Sequence, residues 1–386
     1  MSTLSELVDI RYYNNLPIKK FEETLDIKNV TQCYKFYWFE AILNLLAKEG
    51  KDEYSFDEIV NQMIVNSWYT VAEYHLHLGP RNSIGNRDNY MERIVNALSE
   101  ASNLSSSSKE SEIINVINKF NDVIKDEKKS LFKYVPYRFL STIMNEYSEA
   151  VGHINWDGGK EKLNAQIFKV NEMIEMPYVI NDKSIKLGPS WKSMFLDYES
   201  ILQGWIEYRK IFFLQQRNPG VPGIIYKLKP MDEYSRKLEK VRELWKYIIK
   251  SNHVDNIYRN DDTLDGENLS IDHFVPWSYV ASDELWNLIP TTRELNSSKS
   301  NKLARWDLYF KHFVDVQYMM YKSIHNDKQA HKLYNKCKAD NLMEDWAVND
   351  LYENNLNYNA FSNLLEEHIK PLYISAKNQG YVLWCN

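Results

Sequence analysis

Cysteine is scarce in this sequence. The 386 residues hold three, Cys33, Cys337 and Cys385, and no two stand at Cys-x-x-Cys spacing. Neither a cysteine zinc centre nor a disulfide framework is supported, and a reducing, cytoplasmic location is expected. Long apolar runs are missing too. The most apolar stretch, Phe36 to Leu46, contains Glu40 and Asn44 and is too short and too polar to span a bilayer, so no membrane partner is expected. The opening residues Met1-Ser-Thr-Leu-Ser-Glu6 carry no basic stretch followed by an apolar one, so no secretory leader is expected. Positive charge is not in excess either: the formal net charge is -6. That argues against a nucleic-acid coat protein but leaves room for a locally basic cleft.

What is present is the composition of a folded chain, 44% hydrophobic and 26% charged, with a length that suggests two or three domains. Aromatics make up 14%, which suggests large half-buried surfaces and stacking platforms. The first two hundred residues read as mostly helical. Tyr34 to Leu46 is apolar nearly all round, as in a helix at the centre of a bundle, and Ser55-Phe-Asp-Glu58 is a capping box opening another helix. Asn103 to Ser108 reads as a surface loop. Gln216-Arg-Asn-Pro-Gly-Val-Pro-Gly223 cannot continue a helix, and a domain boundary is placed there. Three regions result: 1–215, helical and serving recognition or regulation; 216–310, carrying the chemistry; and 311–386, helical again. In the second, Arg236 to Lys250 reads as an amphipathic helix with Leu238, Val241, Trp245 and Ile248 or Ile249 on one stripe. Between Lys227 and Lys250, eight basic residues, Arg236 among them, face four acidic ones, Asp232, Glu233, Glu239 and Glu243. This is either a solvated face of mixed charge or a phosphate-tracking surface on which Lys237, Lys240 and Lys246 make the contacts.

The most informative stretch runs from Leu269 to Lys302. Leu269, Ile271, His273 and Val275 alternate as in a strand that ends in Asp272-His273-x-x-Pro276. Thr291-Thr-Arg-Glu294 is a capping box, so a helix is expected to start near Thr291 with Asn296 in its first or second turn. That helix is built of poor helix formers: Asn296, Ser297, Ser298, Ser300 and Asn301. A segment that breaks local rules is a candidate functional site; otherwise it is a polar loop after a hairpin.

In order and spacing these residues resemble the HNH endonuclease family, whose ββα-metal fold is a hairpin followed by a helix. Asp272-His273 matches the end of the family's first strand, Asn287-Leu288 its central pair, and Asn296 the last position, on the helix. Pro276 and Lys299 agree as well. The pattern is an H-N-N variant, like the HNH domains of CRISPR effector nucleases, and it covers about a tenth of the chain. The paired cysteines of many members are absent, which leaves Trp277 and Trp286 to hold the hairpin by packing. The implied fold is mainly α with a small ββα-metal module, α+β overall.

The implied activity is metal-dependent endonuclease, with DNA ahead of RNA as substrate and one Mg2+ or Mn2+ ion as cofactor. The resemblance assigns His273 as the general base, and a side chain with an ordinary pKa of ~6.5 suits that task. Asp272 and Asn296 offer the hard oxygen donors that Mg2+ takes. Asn287 orients His273 or pins the hairpin, and Lys299 and Lys302 hold the phosphate. Adjacent strand residues point to opposite faces, so Asp272 and His273 converge on one phosphate only if the strand bends there. Family analogy also suggests bacterial defence or restriction. Two alternatives stay open: a partner-activated effector subunit, and a nucleic-acid-binding module that keeps the fold without cutting. His75 and His77 are read as packing or surface residues, because positions two apart share no helix face. Trp277 and Tyr279 are read as core before base-stacking.

Overall fold

Helices dominate because long apolar periodic segments alternate with strong caps. The computed structural model describes residues 3–8, 12–80, 89–229, 237–259, 262–353 and 355–386. It divides into two units, Met1–Pro219 with Lys227–Pro230, and Gly220–Tyr226 with Met231–Asn386.

In the first unit, helix α1 (Tyr34–Glu49) buries Phe36, Tyr37, Trp38 and Phe39 in succession and ends at Gly50, whose φ of 64° is the left-handed cap glycine adopts freely. Helix α2 (Phe56–Ala72) opens on the Ser55–Glu58 capping box, with both reciprocal bonds made. Around them pack α3 (Tyr90–Ser102), α4 (Asn121–Phe139) and α5 (Glu199–Arg217). A short antiparallel sheet in the order β1-β3-β2 joins Glu53–Ser55 (β1) to a hairpin of Tyr178–Asn181 (β2) and Ser184–Leu187 (β3). The periodicity gave no sign of this sheet. Residues 103–109 form the expected loop, closed by a bond from Trp68 Nε1 to the Ser105 carbonyl at 3.1 Å. Helix α2 stops at Ala72, so His75 and His77 lie beyond it, His75 at a φ of 52° and His77 buried with Nδ1 3.4 Å from Glu92 Oε2. The helix-face argument made from sequence therefore does not apply to this pair.

The second unit is built on a two-stranded hairpin, β4 (Leu269–His273) and β5 (Leu288–Thr292). Its helices are α6 (Glu239–Ser251), α7 (Arg293–Lys299), α8 (Trp306–Asn326), α9 (Lys328–Asn341) and α10 (Tyr358–Gln379). Helix α6 buries Val241, Leu244, Trp245, Ile248 and Ile249, close to the expected stripe, and starts at Glu239, not at Arg236. Arg236, Asp232 and Glu233 lie outside the described residues. The helices after residue 310, set off by sequence as a region of their own, fall in the same unit as the hairpin. Gln317 of α8 donates to the Leu285 and Leu288 carbonyls at 3.3 and 2.8 Å, and Phe313 stacks on Phe274 with centroids 4.3 Å apart. Two short parallel strands, β6 (Leu303–Ala304) and β7 (Leu383–Trp384), bring the last residues of the chain beside the end of α7. The fold is mainly α with small sheets. Among the described residues no helix is long and apolar enough to cross a membrane.

Candidate active site

The hairpin pairs in antiparallel register, Leu269 with Thr292 through His273 with Leu288. Its open end is closed by Asn287. This side chain is fully buried and makes two bonds to one residue: Oδ1 accepts from the Val275 amide and Nδ2 donates to the Val275 carbonyl, each at 2.8 Å. The Phe274 amide adds a bond to the Asn287 carbonyl at 2.9 Å. Of the two roles expected for Asn287, these contacts are those of a pin. Trp286 packs against Trp346, centroids 5.4 Å apart, and the Tyr279 hydroxyl donates to the Gly220 carbonyl, so both aromatics serve packing.

Helix α7 lies along the hairpin. Its N-cap is Thr292, whose hydroxyl accepts from the Leu295 amide. Thr291 instead belongs to β5 and donates to Asn256 Oδ1 at 3.2 Å. The helix therefore starts one residue later than the capping box suggested. Asn296 reaches β4 through Nδ2, which donates to Ser270 Oγ at 2.7 Å and to the Ile271 carbonyl at 3.2 Å. Lys299, three residues on and on the same helix face, donates to Asp272 Oδ1 at 3.1 Å and to the His273 carbonyl at 2.7 Å. Lys299 is 0% exposed. The expectation of a phosphate-holding lysine is thus met by a different placement: its ammonium points into the protein at Asp272. Burial pushes this ammonium down from its usual range, and the Asp272 carboxylate opposes that shift. Lys302 is exposed at the end of α7, with Nζ 3.4 Å from the Ser298 carbonyl.

Asp272, 3% exposed, also accepts a short hydrogen bond from the Tyr258 hydroxyl. Tyr258 is set edge-on between Tyr309 and Trp384, with centroids 5.2 and 5.1 Å away. Burial and the adjacent carboxylate hold its phenol well above the usual tyrosine range. His273, 4% exposed, is held elsewhere: Nε2 lies 2.9 Å from Asp283 Oδ1. Asp272 and His273 thus have separate side-chain partners.

Sequence reasoning missed Tyr258 and Asp283. Only the proximity of Asp283 to the Asp272-His273 pair, ten residues away, was there to be noticed. Of the two readings of the basic segment, the contacts favour the face of mixed charge. Lys237 and Lys240 of the α6 region both pair with Asp340, at 3.2 and 2.7 Å, instead of forming an open cationic row.

The donor set can be tested for a divalent cation. Asp272 supplies a carboxylate and Asn296 an amide oxygen, both hard donors. The two bonds from Asn296 both use Nδ2, the donor end of its amide. Among the described residues there is no cluster of three or more His, Cys, Asp or Glu for a metal. Both Asp272 oxygens are taken in this structure, by the Tyr258 hydroxyl and the Lys299 ammonium, so an ion at Asp272 would replace one of these partners. Lys299 supplies the positive charge beside Asp272 in this structure.

A hairpin ending in Asp-His and followed by a helix that returns an Asn to the first strand defines a ββα nuclease-type module. Residues 255–305 match the HNH endonuclease family model, and this part of the chain is an HNH endonuclease domain. Members of that family act on nucleic acid and generally use a divalent metal ion. The match starts upstream of β4 and so includes Asn256 and Tyr258. No curated protein and no solved structure matches the chain.

Proposed function

We propose that this protein is a metal-dependent endonuclease that hydrolyses phosphodiester bonds of DNA. The observation that carries the reading is a histidine at the end of β4, fixed through Nε2 on a carboxylate, beside a helix that brings Asn296 to the same strand. Asp272 and Asn296 hold one Mg2+ or Mn2+ ion. When bound, the ion supplies positive charge to the scissile phosphate and the leaving 3′-oxygen. His273 takes the proton of the attacking water, the work of a general base near neutral pH. Asn287 keeps β4 and the following turn in place while this happens. Lys302, exposed at the end of α7, contacts a substrate phosphate; Lys299 holds Asp272 in place. By family analogy the role is bacterial defence or restriction.

The burial of Asp272 and His273 favours a linked second reading, in which a partner or the substrate itself opens the site. The test is incubation of the protein with supercoiled plasmid, single-stranded DNA and RNA, in Mg2+, Mn2+ or EDTA. DNA cleavage abolished by EDTA supports the proposal. Cleavage confined to RNA, or undiminished in EDTA, overturns it. Cleavage that appears only with a cognate partner supports the second reading.

A further inference from the structure

We propose that Asp283 is the positioning residue of this site: it fixes the tautomer and aim of His273, so that the basic lone pair sits on Nδ1. This rests on the reading of His273 as the general base. Both Asp283 oxygens have an assigned partner. Oδ1 faces His273 Nε2 at 2.9 Å, and Oδ2 accepts from the Lys237 amide, just before α6, at 3.3 Å. The Asp283 carbonyl accepts from Asn341 Nδ2 at 2.9 Å, and the same amide donates to the Lys237 carbonyl at 3.0 Å. The carboxylate thus joins the end of β4 to the approach to α6, while the end of α9 holds the Asp283 backbone.

An ionised carboxylate only accepts hydrogen bonds, so the imidazole nitrogen facing it carries the proton. In neutral His273 that places the proton on Nε2 and the lone pair on Nδ1. Both side chains are 5% exposed, so water competes little for this contact. The turn has other anchors: Glu284 accepts from the Met343 amide at 3.1 and 3.2 Å, and Asn341 holds the Asp283 backbone. The turn therefore does not depend on the Asp283 side chain alone, and its Oδ1 bond serves the His273 ring.

Replacing the acceptor with a near-isostere separates positioning from structure. Asp283→Asn keeps the shape, but its amide can donate to Nε2 and drive the proton to Nδ1. Its single-turnover rate is expected to fall about 10²–10⁴-fold, as far as in Asp283→Ala, with KM for plasmid little changed. Asp283→Glu restores an acceptor and is expected to recover part of the rate.

The experiment pairs these rates with nitrogen NMR of histidine-labelled full-length protein, metal-free and at a pH where the ring is neutral. The His273 signal is assigned by its loss in His273→Gln. The expected result is an Nε2–H ring in the wild type that changes to Nδ1–H in Asp283→Asn, together with the loss of rate. Wild-type cleavage that survives in both Asp283→Asn and Asp283→Ala overturns the inference and leaves the nuclease reading standing. An Nδ1–H ring in the wild type overturns it without any variant. If the wild type cleaves nothing, the nuclease reading falls, while the tautomer still decides what Asp283 does to His273.

Discussion

Replacing Asn287 by alanine separates a structural pin from a catalytic group. The side chain is 0% exposed, and its two 2.8 Å bonds satisfy both backbone groups of buried Val275. Alanine strands that N–H and that C=O in the interior, where no water replaces the lost partner. Each stranded group costs about 1–3 kcal/mol, so the expected local loss is about 2–6 kcal/mol. A domain's whole stability is about 5–15 kcal/mol, so this is a large share of it. With about 1.4 kcal/mol per factor of ten, opening of the hairpin becomes roughly 30- to 10⁴-fold easier. Hydrogen exchange of peptides covering 269–292 reads that change directly, with peptides of the first unit as an internal control. Asn287→Asp keeps an acceptor for the Val275 amide but cannot donate to the Val275 carbonyl, so it is expected to fall short of the wild type. Unchanged exchange in Asn287→Ala alongside lost cleavage would refute the reasoning and move Asn287 from pin to chemistry.

Three further expectations can be checked separately. Asp272→Ala and Asn296→Ala both raise the Mg2+ concentration needed for half-maximal rate, Asp272→Ala more, because a carboxylate binds a hard dication more strongly than an amide; unchanged metal titrations in both place the ligands elsewhere. Asp272→Ala also leaves Lys299 buried without its carboxylate, so urea unfolding should show a loss of about 3–5 kcal/mol that Asp272→Ala/Lys299→Met recovers without recovering activity; a single mutant as stable as wild type contradicts this. Burial lowers the Lys227 ammonium to about 7 from the usual 10.5, a gap worth up to about 5 kcal/mol. Its folded pKa lies below its unfolded one, so the cost is full below pH 7 and is relieved as pH rises from about 7 towards 10.5. Lys227→Met should raise the melting temperature of the first unit at pH 7 and flatten its rise with pH above that; a lowered melting temperature refutes the burial argument.

The stretch that matches the family model was legible in the sequence. Asp272, His273, Asn287 and Asn296 fall within a strand, a turn and a capped helix whose local signals agree. Tyr258, Asp283 and Asn341 were not legible as site residues, because their meaning comes from contacts between separate segments. Nothing local in Lys299 distinguishes a surface lysine from a buried partner of Asp272; a polar stretch of Ser and Asn around it suggested the former. Whether the lysines from Lys237 onward track phosphate or form a mixed-charge face could not be read locally, because Asp340, which pairs with Lys237 and Lys240, lies about a hundred residues on. The sheet joining Glu53–Ser55 to Tyr178–Leu187 escaped notice for the same reason, since strands of three or four residues carry too few alternations to register as a period.

The central claim is that one histidine in the HNH domain drives phosphodiester cleavage. Single-turnover cleavage of plasmid by folded His273→Ala in Mg2+, with binding to the same DNA measured in parallel, tests it most directly. The account predicts a rate lowered by about 10²–10⁴-fold with binding nearly unchanged. A His273→Ala protein that cuts at the wild-type rate would contradict it.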